Sequence, residues 1–130
     1  MIVVDSSALL AILLGEPDAR SIADLINDAE GRTISSFNLF ETHVVIHRQG
    51  RDEGVRDLRS LLARTRLTTV PFDDAQAALA FAAYRRYGKG NHPAALNLGD
   101  CAAYALAKSL DLPLLFKGND FARTDIRRVL

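Results

Sequence analysis

The chain has 130 residues, 48% of them hydrophobic and 25% charged, which is the size and balance of one ordinary globular domain with a single core. Its 16 basic and 16 acidic side chains cancel formally, so bulk charge gives no case for nucleic-acid binding and only local patches could supply one. The lone Cys101 excludes an intramolecular disulfide, no apolar run approaches the ~20 residues of a membrane span, and "MIVVDSSALLAILLGEPDAR" lacks the pattern of a signal peptide; the expectation is one soluble, cytoplasmic domain over residues 1–130.

In chain order, "MIVV" reads as a strand, and Ser6 and Ser7 are good N-caps for a helix "ALLAILLG" that stops at Gly15 and Pro17. Residues 18–29 place Ile22, Leu25, Ile26 and Ala29 on one stripe, and "RTIS" follows as a second strand. Ser36 can cap a third helix through "FNLFETHVVIHRQG". A fourth, "DEGVRDLRSLLART", carries Val55, Leu58, Leu61 and Leu62 at helical spacing. "LTTVPF" is the third strand, Asp73 or Asp74 starts the Ala-rich helix "AQAALAFAAYRRYG" ended by Gly88, and "GDCAAYALAKSLD" is a further helix with Asn97 as its cap. "LPLLF" is a fourth strand, and "IRRVL" a short terminal one.

Continuously apolar strands separated by helices mean an α/β fold, a parallel sheet buried between helical layers. Ligands of such sheets bind outside the carboxyl ends of the strands, and that edge collects acids. Asp5 ends the first strand, Glu41 lies early in the helix after the second, Asp100 falls in the first turn of its helix, and Asp120 follows the fourth strand. Asp100 and Asp120 stand beside glycines in an apolar segment and do not read as surface charges. Two like charges about 4 Å apart cost about 4 kcal/mol at an effective dielectric near 20, so such a cluster must protonate or hold cations. An all-oxygen ligand set selects a hard ion, Mg2+ or in its place Mn2+, able to activate water for phosphodiester hydrolysis. Taken singly, each acid also fits a plainer role: Asp5 and Asp100 as capping or first-turn acids, Glu41 as a solvated helix residue, Asp120 as a turn-former. His43 and His47 have i, i+4 spacing without the full H-E-x-x-H pattern and read as partly exposed; Cys101 reads as a small buried side chain.

The segments "VVDSSALLAIL", "NLFETHVVI", "LNLGDCAAYALAK" and "LLFKGNDFARTDI" together resemble the PIN-domain ribonucleases, specifically the VapC toxins of bacterial type II toxin–antitoxin modules, over essentially the whole chain. The resemblance implies a PIN-like three-layer α/β/α sandwich with a central parallel sheet. It implies a Mg2+-dependent endoribonuclease whose acids match Asp5, Glu41, Asp100 and Asp120, with Ser7, Asn119 and Thr124 at accessory polar positions. It also implies a cognate VapB-type antitoxin, which could set an arginine against the carboxylates, and a homodimer. The stripe Leu39, Phe40, Val44, Leu58 and Leu62 reads either as part of the antitoxin groove or as core, and "AFAAYRRYGKGNHPAALNLG" as a dimer surface or, for Phe81 and its alanines, core.

Among the basic residues, Arg85, Arg86 and Lys89, with Tyr84, Tyr87 and His92, could grip phosphates and stack on bases of single-stranded RNA, or form a solvated helix end. Lys117 and Arg123 flank Asp120 and are substrate-binding candidates for that reason. The spaced arginines from Arg48 to Arg66 suit a solvated face or a partner surface. Two other classes compete with the enzyme. A non-catalytic RNA-binding module would keep the acids as structure, and a phosphoacceptor receiver-like domain would use Asp73 with Lys117 but leaves Glu41 and Asp100 unexplained.

Overall fold

Two tripeptides, one tetrapeptide and one pair build the sheet; only the first strand and the pair are wholly apolar, and Thr68 and Thr69 of the third are exposed, so not every strand is buried on both faces as expected. The computed structural model describes residues 1–129, in which β1 (Ile2–Val4), β2 (Arg32–Ser35), β3 (Thr68–Val70) and β4 (Leu114–Leu115) are all parallel and lie in the order β3-β2-β1-β4. β1 is central, paired to β2 at Ile2–Arg32 and Val3–Thr33 and to β4 at Val3–Leu114 and Val4–Leu115. Around the sheet run α1 (Ser6–Leu13), α2 (Ala19–Asp28), α3 (Ser36–Thr65), α4 (Asp74–Tyr87) and α5 (Leu98–Leu110).

Alternation along the strands divides the apolar side chains between two cores. Val3 and Leu114 join Leu96, Leu106, Tyr87, Tyr104 and Phe121 under α4 and α5. Ile2, Val4, Ile34 and Leu115 point the other way, onto Leu9, Ile26 and Leu61 of α1, α2 and α3. The result is the expected three-layer sandwich. Small residues let α5 sink into it: Ala102, Ala103, Ala105 and Ala107 are all buried. No helix among the described residues is long and apolar enough to cross a membrane.

Several local expectations are corrected. Asp5, not Ser6 or Ser7, caps α1, because its carboxylate accepts from the Ser7 N–H, and Ser35 rather than Ser36 caps α3. The third and fourth expected helices are both present: they run on as one element, α3, but part at Arg51, the one non-helical residue (φ 53°, ψ −145°), where the break is expected. A Cβ at Gly54 would lie 3.1 Å from the Ile46 carbonyl oxygen, so the glycine lets the chain pass close to the preceding turn beyond the kink. "IRRVL" makes only a single parallel bridge, Leu114 to Arg128, and its Leu130 lies outside the described residues. Asp73 caps α4 through the Gln76 N–H, a helix-start role that accounts for its position after β3 without a phosphoacceptor. His43 is half-buried, with Nδ1 2.9 Å from the Leu39 carbonyl oxygen, and His47 is exposed.

The α3 stripe splits in the same way: Leu58 is fully buried, whereas Phe40 is 66% exposed, and on α4 Phe81 is exposed while Ala80 and Ala83 are buried. Leu58→Ala should therefore cost about 2–5 kcal/mol by urea denaturation, and Phe40→Ala no more than about 0.5 kcal/mol. Equal costs would contradict this division of the stripe into core and surface.

Candidate active site

Because every strand is parallel, the carboxyl ends of β1, β2 and β4 open on one edge; the chain leaves β1 through Asp5 and β2 through Ser36, and β4 through Phe116 and then Lys117. Asp5 follows β1 directly and is 3% exposed. Its Oδ2 accepts from the Ser7 N–H at 3.0 Å and from the Ser7 hydroxyl at 2.6 Å, while its buried Oδ1 has no hydrogen-bond partner. Asp100, 7% exposed, forms a reciprocal capping box at the start of α5, where Oδ2 accepts from the Asn97 N–H at 3.0 Å and Asn97 Oδ1 accepts from the Asp100 N–H at 2.8 Å.

Glu41 comes from the second turn of α3, held by the Ser6 hydroxyl donating to Oε1 at 2.7 Å and, more weakly, by Asn38 Nδ2 at 3.5 Å. Asn38 also donates to the Gly99 carbonyl at 2.9 Å, which ties α3 to α5. A Cβ at Gly99 would lie 2.3 Å from Glu41 Oε2, so only glycine lets this carboxylate lie against the first turn of α5. Asp120 sits in the turn after β4, past Gly118 (φ +100°), and is exposed. It is thus a surface charge, unlike Asp100, because the left-handed glycine carries the turn out of the apolar segment.

The electrostatics record how close these acids are. Burial raises Asp5 from 3.8 to about 6 against the opposing pull of its Ser7 hydrogen bonds, and the charges of Glu41 and Asp120 push it the same way as burial. Burial raises Asp100 to about 7, partly offset by the Asn97 N–H, and Asp5, Asp120 and Glu41 all add to the rise. Among the described residues, no three acidic, histidine or cysteine side chains converge closely enough to hold a metal ion. Each buried or half-buried carboxylate is turned instead toward its own donor: Ser7, Ser6 or Asn97.

The remaining candidates scatter. Ser7 bridges two strand exits, donating to Asp5 and accepting the Lys117 N–H at 3.0 Å. Asn119 is exposed, and Thr124 serves its own turn, donating to the Phe121 carbonyl at 2.8 Å and accepting from the Ile126 N–H. Arg85, Arg86, Lys89 and Arg123 are exposed; Arg86 lies over the Tyr87 ring at 4.8 Å and 3.9 Å from Asp125. The α4 end that bears the first three is tied to the approach to α5 by Lys89 N–H to Leu96 O and Leu96 N–H to Tyr87 O. The Lys117 ammonium faces Glu16 and Asp18.

A PIN-domain family model matches residues 2–127. A ribonuclease VapC of Mycolicibacterium smegmatis is 47% identical over 127 residues, covering 98% of each chain. The chain belongs to the PIN-domain family, among the VapC proteins. Ribonuclease VapC30 of Mycobacterium tuberculosis is 45% identical over 127 residues, covering 98% of this chain and 97% of its own. Mycobacterium tuberculosis VapC20, described as a Sarcin-Ricin loop cleaving toxin, superposes with TM-score 0.81 at 15% identity, over 99% of this chain and 98% of that one. VapBC2 of Rickettsia felis, bound to a DNA fragment from its promoter, gives TM-score 0.78 at 15% identity, over 100% and 98%.

Within this VapC fold, the residues missed by sequence reasoning are those that hold the acids. In sequence Ser6 reads only as a cap, although "DSS" sends one hydroxyl to Glu41 and the other to Asp5. Asn38 had a legible signal, since residues three apart share a helix face. Gly99 had none beyond its place next to Asp100.

The shifted acids fix a pH dependence. Between the unfolded value near 4 and the folded values near 6 and 7, the folded chain binds more protons than the unfolded chain, so stability falls as pH rises through that window. Without divalent ions, urea midpoints should drop from pH 4 to pH 7, corresponding to a loss of unfolding free energy on the order of 3 kcal/mol per acid, and Asp100→Asn should flatten the slope. A midpoint that rises over this range, or a slope that Asp100→Asn leaves intact, would contradict the assignment.

Proposed function

We propose that this chain is a divalent-metal-dependent endoribonuclease, the toxin of a VapBC-type module, with Mg2+ as its ion and Mn2+ as a substitute. One observation carries the reading: a buried Asp5 oxygen without a hydrogen-bond partner faces a site whose other acids, Glu41, Asp100 and Asp120, raise its pKa or that of its neighbour. The donors are oxygens throughout, the set that suits a small hard cation. The names of the relatives at 47% and 45% identity, both ribonucleases, support the substrate class.

Asp5 and Asp100 would hold the ion, with Glu41 released from Ser6 and Asp120 from the exposed turn after β4 as further oxygen donors. When bound, the ion supplies an activated water and neutralises charge growing on the phosphodiester. The chain's own contribution is placement. The Ser7 hydroxyl fixes Asp5 Oδ2 and leaves Oδ1 free, Asn97 fixes Asp100 at the start of α5, and Ser6 with Gly99 keeps Glu41 against that helix. With Asp5 raised to about 6 and Asp100 to about 7, the ion-free site is partly protonated in that range, so loading the ion is favoured as pH rises through about 6 to 7.

The same reading supplies a cytoplasmic protein with a VapB-type antitoxin and a homodimeric state. The solved neighbours include VapBC complexes, and Phe40 and Leu98, 66% and 69% exposed beside Glu41 and Gly99, give a partner apolar surface at the site. Arg85, Arg86, Lys89 and Arg123 are the exposed cations available to RNA phosphates.

Purified chain should cleave single-stranded RNA with Mg2+ and stop on chelation. Asp5→Asn and Asp100→Asn should each lower kcat/KM by about 100-fold or more while keeping the native circular dichroism spectrum. Cleavage unchanged in both variants would refute the site, and a folded, RNA-binding chain that never cleaves would favour a non-catalytic module.

A further inference from the structure

Lys117 sits three residues before Asp120, a natural place for a phosphate contact, yet its surroundings are acidic. Its Nζ contacts Glu16 Oε2 and lies 3.0 Å from Asp18 Oδ1, and these partners, Glu16 first, raise its pKa. The trio of Lys117, Glu16 and Asp18 carries one positive and two negative formal charges, net −1. Asp18, Asp24 and Asp28 line the same cleft of about 380 Å³ in which Lys117 lies, so an approaching phosphodiester meets more negative than positive charge there.

The backbone of the same residue is held as well. Its N–H donates to Ser7 Oγ, and that hydroxyl donates to Asp5 Oδ2. One residue is therefore tied at both ends, by its amide to the first turn of α1 and by its ammonium to the connection that follows α1. What it anchors is a short exposed turn between two buried aromatics, Phe116 and Phe121, whose ring centroids lie 4.8 Å apart: β4 is two residues long at the sheet edge, Gly118 follows in the left-handed region, and Asn119 and Asp120 beyond it are exposed.

We infer that Lys117 is a positioning residue, whose two-point tether to Ser7 and to Glu16 and Asp18 sets the Gly118–Asn119–Asp120 turn so that Asp120 faces Asp5 and Asp100. The inference rests on the nuclease reading for its functional consequence. It brings Glu16 and Asp18, which lie in a connection with no other part in the site, into the machinery. It also removes Lys117 from the RNA-binding residues.

The test uses the full chain with Lys117→Met, the pair Glu16→Gln/Asp18→Asn, all three together, Lys117→Arg, and the exchange Lys117→Glu/Glu16→Lys. Amide hydrogen exchange over residues 117–120, Mn2+ binding by calorimetry, and kcat and KM for RNA are read for each. Lys117→Met and the Glu16/Asp18 pair should each speed exchange in 117–120 by about 10-fold, weaken Mn2+ several-fold and lower kcat by about 10-fold with KM within about twofold. The triple variant should be no worse than either, and Lys117→Arg and the charge exchange should restore all three readouts. A phosphate-binding Lys117 would show the opposite split: KM rising with kcat intact, the salt slope of RNA binding falling by about one, and the Glu16/Asp18 pair improving RNA affinity. That result, or unchanged exchange over 117–120 in Lys117→Met, would overturn the inference. Faster exchange and weaker Mn2+ binding in a chain that cleaves no RNA would leave the tether standing and remove the nuclease reading.

Discussion

The constraint on which the rest of the structure depends is the burial of two carboxyl groups, Asp5 and Asp100, at the carboxyl edge of a parallel sheet. Ionising a buried acid is costly, and ionising two beside Glu41 and Asp120 more so. The fold tolerates this because each is part of a helix start: Asp5 caps α1, and Asp100 completes the capping box of α5. Helix N-termini offer N–H donors and favour negative charge, so the elements that build the sandwich also supply the partial compensation its acids need. The compensation is incomplete by design of the chain, since Asp5 Oδ1 finds no donor.

A polar net of short residues spreads from these two positions and links all three layers. Ser7 connects Asp5 to Lys117, two residues past β4, Ser6 connects the start of α1 to Glu41 on α3, and Asn38 connects α3 to the start of α5. Every link is a single hydrogen bond of modest net value, about 1 kcal/mol. Their joint effect is positional: four segments far apart in the chain deliver their acids to one edge. Apolar packing on the two sheet faces supplies the stability, and the polar net supplies the registry.

How much of this could be read in advance follows the range of each interaction. Asp5 after "IVV", and Asp100 three residues beyond Asn97, were legible because strand burial and capping are local patterns. The three-layer parallel sandwich was legible because strand and helix periods alternate. The contacts Ser6–Glu41, Asn38–Gly99 and Lys117–Glu16, separated by 35, 61 and 101 residues, leave no local trace, since they exist only once the strand order is set. The same holds for Lys117, whose neighbours in sequence suggest an open cation and whose neighbours in space are acids. Asp120 was misjudged as a non-surface charge because the apolar run before it hid the effect of Gly118. The break at Arg51 within α3 is legible because Gly50 and the polar residues around it interrupt the helical pattern locally.

We propose that the buried acids form a cation site held partly protonated until an ion arrives. The most direct measurement is Mn2+ titration calorimetry at pH 6 in two buffers of different ionisation enthalpy, repeated at pH 8. Displacement of protons from Asp5 and Asp100 predicts release of about one proton per ion at pH 6, falling toward zero at pH 8, and loss of most of that release in Asp100→Asn. Absence of Mn2+ binding at both pH values, or binding with no proton release at pH 6, would contradict it.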